Sequence, residues 1–265
     1  MNRRTFLMTS LAAGASALPT LAADSSSAAP ANREYYELRQ YRLSKGPMQK
    51  RADDYFRHAL LPAVRRAQAG PVGVFNVSVG PDSPTTYVLI VHPNSESGAT
   101  LHQRLAQDEE YLKSGDAFLN APASDPSYVA LESALLLSFE KMPRIEVPAG
   151  AAQRQARIFE LRTYRSPGER AGDKKVEMFN NGEIAIFRRV GLTPVFFGQR
   201  VFGANQPSLT YMLTYADMAA RQKAWSAFGG DPEWKKLSTT PGYTDAEIVA
   251  SISNILLTPA PYSEI

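Results

Sequence analysis

Tyr36-Glu37-Leu38-Arg39-Gln40-Tyr41-Arg42 returns 123 residues later as Phe159-Glu160-Leu161-Arg162-Thr163-Tyr164-Arg165. The offset then holds without a gap. Phe56 matches Phe179, Arg65-Arg66 match Arg188-Arg189, Pro71 matches Pro194 and Gly80 matches Gly203. Near the end of each unit Asp108, Glu110, Tyr111 and Lys113 meet Asp231, Glu233, Trp234 and Lys236. A match this long at constant spacing marks an internal duplication. Two copies are too few for a solenoid, so each must bury a hydrophobic face of its own. The reading is a first domain over 33–139, a linker over 140–156 and a second domain over 157–265.

Within a unit the periodicity is legible. Residues 33–43 and 155–165 alternate and are rich in Tyr, Leu and Phe, which predicts a strand. Helical spacing follows over about 47–68 and 170–190, where Phe56, Leu60, Ala63 and Ala67 lie three or four apart. Strands over 71–80 and 194–203 lead through turn formers into hairpin partners over 85–91 and 208–215. A second helix covers about 97–114 and 217–238. Asp231-Pro232-Glu233 reads as an N-cap with Pro in the first helical position. A last apolar strand occupies about 128–139 and 247–257. The order is β-α-β-β-α-β twice, the ferredoxin-like α+β unit. Such a unit leaves one sheet face bare, and the second copy can cover it. The expectation is two tandem ferredoxin-like domains packed sheet to sheet as a pseudo-symmetric α/β barrel around a central cavity.

Side chains alternate along a strand. Tyr36, Leu38 and Gln40 share one face of the first strand, and Glu37, Arg39 and Tyr41 the other. In the second copy Phe159, Leu161 and Thr163 oppose Glu160, Arg162 and Tyr164. With the apolar face on the helices, the Glu-Arg-Tyr face points into the inter-sheet cavity from both halves. There the charges either neutralise one another in a buried network, or leave an Arg and a Tyr to hold an anionic or carbonyl-bearing small molecule. Glu37, Arg39, Tyr41, Glu160, Arg162 and Tyr164 are therefore the candidate ligand-binding residues.

Catalytic signals are sparse. His58, His92 and His102 have no His at the repeat offset. His58 reads as a polar edge of the first helix, or as a general base; His92-Pro93 reads as a turn. Asn180-Asn181-Gly182-Glu183 interrupts a helical pattern, since Gly costs about 1 kcal/mol relative to Ala there. Such a bend singles out Glu183 as the best carboxylate. His58 and Glu183 are thus the catalytic candidates. Asp108-Glu109-Glu110 reads as a solvated helix face, and Trp225, Phe228 and Trp234 as packing. No nucleophile elbow, P-loop, dinucleotide fingerprint or metal-ligand spacing occurs, so no cofactor or metal is expected. With no cysteine there is neither a disulfide framework nor a thiolate.

The N-terminus reads as an address. Arg3-Arg4-Thr5-Phe6-Leu7, an apolar run through Ala17, and small residues before a cut near Ala22 or Ala23 predict a twin-arginine signal peptide over 1–23. Residues 24–32 form a small polar stalk. That route implies a bacterial-type host, export of an already folded chain, and a periplasmic or secreted location. Without Arg3 and Arg4 the basic count falls from 29 to 27 against 26 acids, about +1 net. A near-neutral chain argues against nucleic acid as a partner. No later apolar stretch is long enough to span a bilayer.

The Glu-Leu-Arg-x-Tyr strands (Glu37–Tyr41, Glu160–Tyr164), the Arg188 to Gly191 helix end and the Tyr211–Tyr215 strand before a Trp-containing helix together resemble the NIPSNAP family over essentially the whole mature chain. The first copy departs from the pattern, with Ala67-Gln68 and no Gly at the position of Gly191, and Leu101 or His102 near that of Trp225. The resemblance implies a dimeric α+β barrel related to stress-response barrel domains and cofactor-free monooxygenases, without a settled reaction. The expectation is an exported protein binding a small organic molecule between its sheets. The alternatives are a cofactor-independent oxygenase or isomerase, and a protein-interaction module; a homo-oligomer is compatible with each.

Overall fold

The computed structural model describes residues 32–265, so the expected signal peptide over 1–23 and most of the expected stalk over 24–32 lie outside the described residues. The chain runs β1 (Tyr35–Arg42), α1 (Pro47–Tyr55), a π-helical turn (Phe56–Leu60), α2 (Leu61–Arg66), β2 (Val72–Val79), β3 (Thr85–His92), α3 (Ser95–Leu105), α4 (Glu109–Ser114), α5 (Asp116–Leu119) and β4 (Ala130–Ser138). It then repeats as β5 (Ile158–Arg165), α6 (Glu169–Met178), a second π-helical turn (Phe179–Glu183), α7 (Ile184–Arg189), β6 (Thr193–Phe202), β7 (Ser208–Tyr215), α8 (Met218–Gly230), α9 (Pro232–Ser238), α10 (Asp245–Ile248) and β8 (Ser251–Pro259).

The duplication is visible in local detail. Asp108 caps α4 and Asp231 caps α9, each accepting backbone N–H bonds at the first turn. Arg66 reaches Asp108 at 2.8 Å and Glu110 at 3.1 Å, and Arg189 reaches Asp231 at 2.8 Å and Glu233 at 2.7 Å. The bend expected at Asn180–Glu183 is the second π turn, and the first half has one at the matching place. It belongs to the shared fold.

All eight strands form one closed antiparallel barrel in the order β1-β3-β2-β8-β5-β7-β6-β4. The halves join edge to edge, β2 on β8 and β4 on β6. Stacking of two open sheets would leave four strand edges with unpaired N–H and C=O groups; closure pairs them. The segment between the halves packs as well, with Met142 and Ala151 buried.

The barrel interior is apolar, built from Tyr36, Leu38, Phe75, Phe159, Leu161, Phe196, Met212 and Leu257. The C-terminal tail closes one end. Ile265 is fully buried, Ser263 Oγ accepts Val74 N–H at 3.0 Å and Glu264 Oε2 accepts Val72 N–H at 2.6 Å. Two outer cores lie between the barrel and its helices, one per half. Among the described residues no helix is long and apolar enough to cross a membrane.

Candidate functional site

The alternation expected along β1 and β5 is present, but the two faces are exchanged. Tyr36, Leu38, Phe159 and Leu161 point into the barrel. Tyr41 belongs to the outer core of the first half and Tyr164 to that of the second. Glu37, Arg39 and Tyr41 therefore lie beneath the helices of one half, and Glu160, Arg162 and Tyr164 beneath those of the other. The expectation of one shared cavity holding both arginines is corrected. The physical reason is that the middle of the closed lumen is filled by apolar side chains. The helices, by contrast, bring polar partners down onto the strands.

In the second half those partners satisfy the Glu160 carboxylate on both oxygens, while Arg162 Nε is buried without a partner. Glu160, fully buried, accepts from Arg162 at 3.1 Å, Tyr215 Oη at 3.0 Å, Arg221 at 2.8 and 2.7 Å, and Trp225 Nε1 at 2.8 Å. Burial would raise its carboxyl, but the bonds from Arg221 and Trp225 and the Arg162 charge outweigh it and hold it low. Arg162 donates to Tyr164 Oη at 3.2 Å and lies 4.6 Å below the Trp225 ring. Phe228 packs on that ring and Trp234 packs on Phe228. The charges are thus neutralised within one half under an aromatic cover, rather than between the two halves as expected from the sequence.

The first half keeps the strand and changes the cover. At the repeat offset, Tyr215, Arg221, Trp225, Phe228 and Trp234 become His92, Gly98, His102, Leu105 and Tyr111. Each is smaller or shorter than its counterpart. Glu37 is left with Arg39 Nε at 2.6 Å, His92 Nε2 at 3.3 Å and Ser133 Oγ at 3.2 Å. Burial pushes its carboxyl up, yet the His92 hydrogen bond and the Arg39 charge prevail and hold it near 2.

Above Arg39 the lost bulk opens a cavity of about 330 Å³, lined by Arg39, Tyr41, Tyr55, His102, Tyr111 and Phe118 among others. Tyr55 stacks on Phe118 at 3.9 Å, nearly parallel, and shares a 2.8 Å hydroxyl–hydroxyl bond with Tyr111. Burial raises the Tyr41, Tyr55 and Tyr111 hydroxyls, so they stay protonated donors at neutral pH. Arg39 spends only its Nε on Glu37. Burial works against its charge, while Tyr41 and Glu37 hold it firmly protonated. The result is an apolar, aromatic slot with a cation and hydroxyl donors at its floor, the arrangement suited to a planar ring bearing a carbonyl or an anionic oxygen.

Ser97, His92 and Glu37 also fall in line, with His92 Nδ1 3.0 Å from Ser97 Oγ and Nε2 3.3 Å from Glu37. Ser97 is buried and also accepts from Arg104 at 3.1 Å. It does not line the neighbouring cavity at Glu37, which Ser95, Gly98, Ser133 and Phe202 border. The row orients Glu37, which in turn holds Arg39.

The remaining candidates stand apart. His58 is exposed on the outer side of the first π turn. Glu183 is fully buried with Lys175 Nζ at 3.1 Å, and burial outweighs that pairing to raise its carboxyl. His102, Tyr55 and Tyr111 were not singled out as site residues. Their signal is the mismatch of His102 with Trp225 and of Tyr111 with Trp234. Among the described residues no three His, Asp or Glu side chains converge as metal ligands.

The fold has known counterparts. A candidate monooxygenase from Lactobacillus acidophilus is similar at 8% identity with a TM-score of 0.54, over 86% of this chain and 94% of that one. An anthrone oxidase-like protein is similar at 12% identity with a TM-score of 0.51, over 87% and 93%. A NIPSNAP-like domain protein from Burkholderia xenovorans matches at 19% identity over 40% of this chain and 87% of its own, with a TM-score of 0.36. No curated protein is significantly similar. The NIPSNAP family profile matches residues 36–123 and 159–264, once per half. The chain is a member of the NIPSNAP family.

Proposed function

We propose that the first half binds a small planar organic molecule carrying a carbonyl or anionic oxygen, in the slot between its sheet and helices. The second half is the scaffold that completes the barrel. The observation that carries this reading is the contrast at one repeat position: Trp225 covers Arg162, whereas His102 leaves Arg39 beneath an open cavity. The site thus moves from the middle of the barrel, which is packed, to the outer face of β1. The same reading takes each half as a ferredoxin-like unit, supported by the matching strand orders β4-β1-β3-β2 and β8-β5-β7-β6. It keeps export by the twin-arginine route, supported by Arg3-Arg4-Thr5-Phe6-Leu7.

The test is native mass spectrometry of the exported protein, with denaturing analysis of anything released, followed by calorimetric titration with 1-naphthoate. Naphthoate binding that weakens in Arg39→Met supports the reading; no binding, or undiminished affinity in Arg39→Met, refutes it.

A second reading uses the same slot for chemistry. His102 lines it beside aromatic walls, where it can accept a proton from a phenol or carbon acid while Arg39 at the floor stabilises the oxyanion. The fold shared with a candidate monooxygenase and an anthrone oxidase-like protein is compatible with a cofactor-independent oxygenase or isomerase. Loss of turnover in His102→Ala with naphthoate affinity retained would favour it.

A further inference from the structure

At the barrel end opposite the C-terminal tail, the inward side chains change from apolar to polar. Leu38, Leu161 and Ile255 floor a recess of about 460 Å³, and Thr163, Arg165 and Arg200 stand around it. The carboxylate there, Glu132, is engaged by Arg42 at 3.1 Å. Among the described residues neither Arg165 nor Arg200 has a carboxylate within ion-pair distance. Arg200 donates one terminal N–H to the Ala204 carbonyl, and its Nε is buried without a partner. Burial presses on this guanidinium and lowers its pKa.

We infer that this barrel-mouth recess binds a small amphipathic carboxylate, its head on Arg200 and Arg165 and its short apolar body on Leu38, Leu161 and Ile255. A half-buried cation with no carboxylate in direct contact is costly, and a carboxylate matches the guanidinium fork with two parallel bonds. An inorganic anion would leave the apolar floor wet, whereas an acyl or aryl body covers it. The volume falls within the range of small-molecule sites. This recess is separate from the slot over Arg39, because Leu38 and Arg39 are adjacent on β1 and point to opposite faces.

The test is calorimetric titration of the purified mature chain with octanoate and with octan-1-ol, its neutral analogue. Octanoate is expected to bind at least about tenfold more tightly than the alcohol. Arg200→Met should weaken octanoate by about ten- to a hundredfold. The exposed Arg165→Met gives a smaller loss and serves if the Arg200 variant does not fold. His102→Trp, which blocks the slot over Arg39, should leave octanoate binding unchanged. Absent octanoate binding, equal affinity for acid and alcohol, or undiminished affinity in both arginine variants overturns the inference. So does loss of octanoate binding in His102→Trp, which would put the carboxylate on Arg39 instead.

Discussion

Replacing His102 by Trp transplants the cover of the second half onto the first. The slot over Arg39 holds about 330 Å³, near the lower end of the roughly 300–1,000 Å³ used by small-molecule sites. An indole placed there leaves no room for a ring. A single aromatic ring held among Tyr55, Tyr111 and Phe118 would bury about 150–250 Å². At about 25 cal/mol per Å² this is roughly 4–6 kcal/mol of gross stabilisation. Association costs consume part of it, so naphthoate affinity should fall at least about 100-fold, or about 2.8 kcal/mol. The fold should not suffer. Trp225 occupies the same place in the second half, 4.6 Å from Arg162 and bonded to Glu160 at 2.8 Å, and Arg39 and Glu37 offer the new indole the same partners. The assay is calorimetric titration of wild type, His102→Trp and His102→Ala, with thermal melts of each. Alanine removes the imidazole and keeps the opening, so it should retain binding. Undiminished naphthoate binding in a natively melting His102→Trp protein would refute the assignment of the slot.

Three further outcomes follow from the charged groups. Glu37 is held near 2 against an ordinary 4.5 by His92 and Arg39; a depressed folded-state pKa gives stability that is complete above the ordinary value and lost as pH falls toward the lower one. The melting-temperature advantage of wild type over Glu37→Gln should therefore shrink between pH 5 and 2, and a constant difference would show that Glu37 is not so held. Lys175→Met leaves the Glu183 carboxyl buried alone and should cost about 3–5 kcal/mol, whereas adding Glu183→Leu should recover most of it, because Ala52 and Leu60 fill the same positions in the first half; additive losses in a denaturation cycle would contradict this. Export by the proposed route predicts that Arg3→Lys with Arg4→Lys leaves the precursor inside the cell, read by fractionation; undisturbed export would point to another route.

The repeat was legible because strand register and helix caps need particular residues at fixed spacing. Asp108 and Asp231, with their arginine partners, carry one packing solution into both halves. The orientation of β1 was not legible from its own letters, since both of its faces are buried. Choosing the lumen for Glu37 and Arg39 assumed that polar side chains seek a cavity. They sought donors instead, and the donors sit on helices: Arg221 and Trp225 over Glu160, Ser97 behind His92 over Glu37. Those helix residues were the available signal, because an Arg and a Trp Nε1 facing a sheet need an acceptor beneath them. The site itself is written in the differences between the copies. A duplicated chain contains its own comparison, in which the second half shows how the Glu-Arg-Tyr strand is met by the chain's own side chains. There every Glu160 oxygen is met and Arg162 is covered by Trp225. The first half keeps Glu37, Arg39 and Tyr41, yet puts Gly98 and His102 where Arg221 and Trp225 stand. On the proposed reading, departure from the family pattern in this half opens a site over Arg39, where a filled core would have kept its tryptophan.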